Sequence, residues 1–161
     1  MSKVNLEKVL KYGIYLAAFV PLIIFSEFIS PFHFGKVLVF RSLVEVLTVL
    51  YVVLLVKRGK AWFPPRTPLL AAVTLFTLAF GLTTFTSVNV YQSFFGTLER
   101  MGGWFSLVHF WAFFAIATAV LRKKEDWLAF IKLSLAVSLL SAFYGFLQKT
   151  DLQWVIGSGG R

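Results

Sequence analysis

The chain has 161 residues, of which 58% are hydrophobic, 18% aromatic and only 14% charged, with a mean hydropathy of +0.80. Soluble domains run at roughly 45–50% apolar and about 25% charged, and one core of this size could not hide several uncharged runs of near-membrane length, so a soluble domain is excluded in favour of an all-α integral membrane protein whose partner is the bilayer. The net charge of +9 does not point to nucleic acid, because the basic residues fall in the gaps between apolar runs; the absence of Cys and the presence of only two His leave no disulfide, metal or cofactor site to expect.

Five spans are expected. The first, about 11–31, is uncharged from Lys11 to Glu27 and holds Pro21 as a kink point. It reads as an uncleaved anchor, since no small-residue cleavage site follows it. The second, about 37–56, carries Arg41 and Glu45 at a spacing that lets their charges meet on one helix face. After "KRGK" and a proline-containing connector, Thr67-Pro68 gives the N-cap and first position of a third helix, about 68–86. Its threonines at 74, 77, 83, 84 and 86 can bond back to their own helix or across to a neighbour.

Between the third and fourth spans, Val88, Tyr91, Phe95 and Leu98 recur at helical spacing among polar residues, which predicts a short interfacial helix. The fourth span, about 101–121, is uncharged and ends at "RKKED"; the fifth runs from about 127 to 148. On the fifth, Ser134, Ser138, Ser141, Ala142 and Gly145 form a stripe of small residues suited to helix contact. No internal repeat is visible.

Orientation follows from Lys and Arg in the loops. Ten lie before the first span, between the second and third, and between the fourth and fifth; four, Lys36, Arg100, Lys149 and Arg161, lie on the other side. The N-terminus is therefore expected in the cytoplasm and the adjacent Glu99 and Arg100 at the outer surface. Glu99 and Arg100 read either as an interfacial pair at a helix start or as part of a site. Arg41 with Glu45, joined by Glu27 at similar outer depth, reads either as a helix-orienting ion pair or as part of a functional site. His33 and His109 have no partner at ligand spacing, and His109 reads as an interhelical hydrogen bonder. The closing "GSGGR" lacks the context of a phosphate loop.

The stretch "SFFGTLERMGG" resembles the Ser-aromatic-aromatic-Gly-x-x-Glu-Arg-Met-x-Gly segment of bacterial O-antigen ligase-like proteins, in which it precedes a helix of the "LVHFWAFF" kind found here at 107–114. Ser93, Gly96, Glu99, Arg100, Met101 and Gly103 match by position, whereas Gly102 stands where a Glu is expected. The resemblance implies a polytopic glycosyltransferase of the bacterial inner membrane that moves glycan from an undecaprenyl-pyrophosphate donor to an acceptor at the outer face. It also implies ten to fourteen helices in the whole protein, with this chain as the N-terminal part and the catalytic residues in the other half. Arg100, with Arg41 and Arg161, would bind the lipid-linked oligosaccharide donor; Glu99 would orient Arg100, and Glu45, Gly96 and Gly103 would serve structure. Fixed guanidinium groups can neutralise a pyrophosphate leaving group without a metal. The competing reading is a non-enzymatic membrane protein, either a transporter or lipid-glycan flippase component with Arg41 and Glu45 on its pathway, or a structural scaffold.

Overall fold

A computed structural model describes residues 5–23, 34–97 and 100–149, all of them in helices, turns and connectors. In chain order these are α1 (Leu6–Ala17), a 3-10 turn (Val20–Leu22), α2 (Phe34–Arg58) continuing as a second 3-10 turn (Gly59–Trp62), α3 (Pro68–Phe85), α4 (Val90–Phe95), α5 (Trp104–Val120) and α6 (Lys124–Lys149). Three stretches, Phe34–Trp62, Pro68–Phe85 and Lys124–Leu147, are long and apolar enough to cross a bilayer; α5 is an apolar helix of 17 residues.

Two expected spans are corrected. The segment 11–31 is not one continuous helix: α1 begins at Leu6 and stops at Ala17. Pro21 has no N–H to offer the Ala17 carbonyl and its ring would collide with it, so the chain tightens into the 3-10 turn that contains this proline. Positions 24–33, with Glu27 and His33, lie outside the described residues. The fourth helix starts at Trp104 rather than 101, because Met101 sits at φ +47° and Gly103 is extended. The expected cap of α3 is present, with Thr67 Oγ1 accepting from the Leu70 amide at 3.2 Å.

The core lies where α1, α2 and α5 meet. Leu10 and Ile14 from α1, Leu47, Tyr51 and Leu54 from α2, and Ile116, Ala117 and Val120 from α5 are buried together. Gly13 sets the α1–α2 distance, since a methyl there would lie 2.5 Å from Leu47 Cδ2. Lipid tails are as apolar as leucine, so this cluster is held by close van der Waals contact and interhelical hydrogen bonds more than by exclusion of water. The threonines of α3 supply both bonding modes foreseen for them. Thr77 and Thr84 donate back to Val73 and Phe80, while Thr74 donates to Leu70 and accepts from Trp111 Nε1 of α5 at 2.9 Å. A second indole tie joins Trp104 Nε1 to the Thr77 carbonyl at 2.9 Å.

The helix ends sort by charge. Lys11 of α1 pairs with Asp126 of α6, Glu7 of α1 with Arg58 of α2 at 3.4 Å, and the Arg122 guanidinium lies 4.1 Å from the centre of the Trp62 ring. These contacts gather the described parts of the three basic segments, around Lys11, 57–66 and 122–124, at one end of the bundle. The start of α2, the end of α3, α4 and the start of α5 lie at the other end. On α6, Ser138, Ala142 and Gly145 are exposed, and a methyl at Gly145 would touch nothing within 4 Å, whereas Ser134 and Ser141 of the same small-residue stripe are half-buried.

Candidate functional site

The segment that carries the resemblance folds into the wall of a cleft at the end of the bundle opposite the basic segments. Asn89 caps α4 by accepting from the Gln92 amide at 3.0 Å. After six helical residues Gly96 ends the helix at φ +84°, ψ −176°, a conformation essentially restricted to glycine. A turn follows, in which the Arg100 and Met101 amides both donate to the Thr97 carbonyl, at 3.2 and 2.8 Å. The chain then folds back on itself so closely that a methyl on Gly103 would lie 2.3 Å from the Phe94 carbonyl oxygen and 2.4 Å from the Gly96 nitrogen. Gly96 and Gly103 therefore serve the backbone. Gly102, exposed and with nothing within 4 Å of its would-be methyl, faces open space.

The resulting cleft, of about 320 Å³, is bordered by Thr83, Gln92, Ser93, Thr97, Arg100 and Gly102. Arg100 is exposed there, and among the described residues no carboxylate pairs with it; Glu99 and Arg161 lie outside the described residues. The Thr83 hydroxyl proton is committed to the Phe80 carbonyl. Gln92 accepts from Asn89 on its Oε1, which leaves its amide hydrogens free to donate. An exposed guanidinium, a carboxamide donor and hydroxyls make a cleft suited to a polar, negatively charged group. Phe80 is the aromatic residue that lines the cleft, and the turn beside it rests on Phe94, which packs on Trp104 and Phe105 with ring centres 5.5 and 5.9 Å apart.

Arg41 reaches the same segment from behind. It is 7% exposed, and its Nη2 donates to the Met101 carbonyl at 3.0 Å and to Ser106 Oγ, while Ser106 Oγ donates to that same carbonyl. The guanidinium lies 4.8 Å from the centre of the Phe105 ring, and its buried Nε has no hydrogen-bond partner. Two donors on one carbonyl oxygen hold Met101 in a left-handed conformation that a side chain seldom adopts.

Arg41 therefore braces the turn that carries Arg100, but the two do not share a cleft. Arg41 borders a second, apolar one of about 300 Å³ with Lys36, Phe40 and Phe110. Nor does Arg41 form a salt bridge with Glu45, although their spacing on α2 leaves each within the field of the other's charge. Arg41 turns to the start of α5, where a carbonyl and a hydroxyl accept from its Nη2, and Glu45 reaches His109 of α5 at 3.4 Å. His109 Nδ1 donates to the Phe105 carbonyl at 2.7 Å, so the ring bridges two helices. Ser106 and the Met101 carbonyl escaped the sequence reading, although a Ser and a His three residues apart in an uncharged run signalled one polar face on α5.

No protein-family model, curated protein or solved structure matches the chain. What fold and composition define is a class: a helical membrane protein, with three stretches able to cross a bilayer and a polar cleft built by a glycine-folded turn.

Proposed function

We propose that this chain is the N-terminal membrane portion of an O-antigen ligase-like glycosyltransferase of the bacterial inner membrane. In this reading it crosses the bilayer five times with its N-terminus in the cytoplasm, and the Arg100 cleft opens at the outer face. There Arg100 binds the pyrophosphate of an undecaprenyl-linked glycan, and the catalytic groups come from the remainder of the protein. The observation that carries the reading is the placement of Arg100, exposed in a donor-bearing cleft at the end of the bundle away from the basic segments. Cytoplasmic loops are the ones enriched in Lys and Arg, and this supports the cytoplasmic side for that basic end. Arg41 has a different part in this account: buried and bonded to the Met101 carbonyl, it fixes the turn that displays Arg100.

The test is glycan transfer from a lipid-pyrophosphate donor by the full-length protein in membranes. Arg100→Ala is expected to lower transfer by about 10²-fold or more, the loss typical for one charge-stabilising donor, with normal membrane insertion. Arg100→Lys should recover part of the activity, because it keeps charge but not the bidentate fork. Transfer unchanged in Arg100→Ala rejects the role of Arg100, and no transfer by the unaltered protein with any lipid-linked glycan favours the non-enzymatic reading.

A further inference from the structure

The opposite end of the bundle carries a second cleft, of about 510 Å³, between the connector that follows α2, the end of α5 and the start of α6. Its walls are apolar, from Phe63, Leu121 and Trp127, with Thr118 beside them, and Arg122 stands at its edge. Arg122 is fixed in three ways. Its Nε donates to the Ala119 carbonyl at 2.9 Å, its Nη2 to the Ala61 carbonyl at 2.5 Å, and its plane lies against the Trp62 ring. A guanidinium has five N–H groups. Two are used, so three remain on a charge whose position is already set and whose ordering costs a ligand nothing further.

The electrostatics at this end are predominantly basic, with Glu125 at the start of α6 as an exposed carboxylate in no salt bridge among the described residues. Glu7 and Asp126 are taken by Arg58 and Lys11. Lys57, Lys60, Arg66, Arg122, Lys123 and Lys124 have no carboxylate within 4 Å among the described residues, and the neighbouring helix starts present exposed apolar side chains, Leu69 on α3 and Leu128 and Ile131 on α6. A bound group must therefore be anionic at Arg122 and apolar where it leaves along α3 and α6. A soluble phosphate meets the first condition alone. We propose that this cleft is a binding site for an anionic phospholipid, with its phosphate on Arg122, its glycerol region between Phe63 and Trp127, and an acyl chain running out over the lipid-facing helices. Basic pockets between membrane helices bind such headgroups, and the two tryptophans fit the interfacial depth at which a phosphate lies.

The test is native mass spectrometry of the purified chain with equimolar phosphatidylglycerol and phosphatidylcholine of matched acyl chains. One tightly held phosphatidylglycerol is expected, preferred by about tenfold or more, since each cation near an anionic headgroup contributes a factor of roughly five. Arg122→Gln should reduce the preference to about twofold or less. Because that variant also loses two helix-end hydrogen bonds, Thr118→Phe serves as the second: it fills the cleft, leaves Arg122 in place, and should expel the tight lipid. Equal retention of the two lipids by the unaltered chain, or a tight phosphatidylglycerol that survives Thr118→Phe, overturns the proposal. Displacement of the lipid by millimolar glycerol phosphate would overturn it in favour of a soluble phosphate-ester site.

Discussion

The three glycines of the cleft segment give a sharp test of how the turn is built. At Gly96 an added methyl would lie 2.4 Å from the Gly102 nitrogen and 2.7 Å from the Gly103 nitrogen, both backbone atoms, at φ +84°. The dihedral strain alone costs about 1–3 kcal/mol, and relieving a backbone overlap of this kind adds about 1–3 kcal/mol. Gly96→Ala is therefore expected to destabilise the fold by about 2–6 kcal/mol. Gly103→Ala lacks the positive φ but meets the Phe94 carbonyl at 2.3 Å, so it should lose about 1–3 kcal/mol. Gly102→Ala, with open space around it, should stay within about 0.5 kcal/mol of the parent. The assay is reversible denaturation in detergent micelles, followed by tryptophan fluorescence, with all three variants under one set of conditions. Trp104, beside Phe94, reports on this turn. Equal stability of Gly96→Ala and the parent, or equal damage from Gly102→Ala and Gly103→Ala, would refute the close chain reversal described here.

Arg41→Leu should loosen the Met101 turn and, on the proposed glycosyltransferase reading, reduce glycan transfer without removing Arg100; unchanged transfer together with unchanged stability would show that the turn does not need the guanidinium. Trp111→Phe removes one interhelical hydrogen bond to Thr74 and should cost about 0.6 kcal/mol, whereas Gly81→Leu should cost more, since even a methyl there approaches Trp104 Cε2 to 2.8 Å. A double-mutant cycle on Lys11 and Asp126 should give a coupling of about 0.2–1 kcal/mol that falls with added salt, because the Lys11 side chain is about one-third exposed. A coupling near zero at low salt would argue against the α1–α6 contact.

Much of the fold was legible in the residue pattern, and the parts that were not share a cause. Hydropathy with the flanking charges located α2 and α6, and Thr67-Pro68 marked the start of α3, because caps and uncharged runs are local properties. Helix ends set by backbone geometry were harder to read. Pro21 ends α1 four residues before itself, where a kink was the expectation, and Gly96 ends α4 at Phe95, while Leu98 of the expected amphipathic stripe lies outside the described residues. Side-chain pairing was least legible. Residues 41 and 45 have the spacing of an ion pair, yet each finds its partner on α5, because a helix face shows which groups are neighbours on one helix and not which polar atoms the next helix presents. The segment around Arg100 was visible as a motif; that Arg41 braces it from behind depends on a contact between residues 60 positions apart.

The claim that the Arg100 cleft and the basic end lie on opposite sides of the membrane can be measured directly, because the chain has no native cysteine. Thr97→Cys places a thiol on the exposed border of the cleft, and Lys60→Cys places one at the basic end. With a membrane-impermeant maleimide added to intact bacterial cells after permeabilising only the outer membrane, position 97 should be labelled and position 60 should react only once the inner membrane is opened. Labelling of position 60 in sealed cells, or protection of position 97 until lysis, would contradict the account.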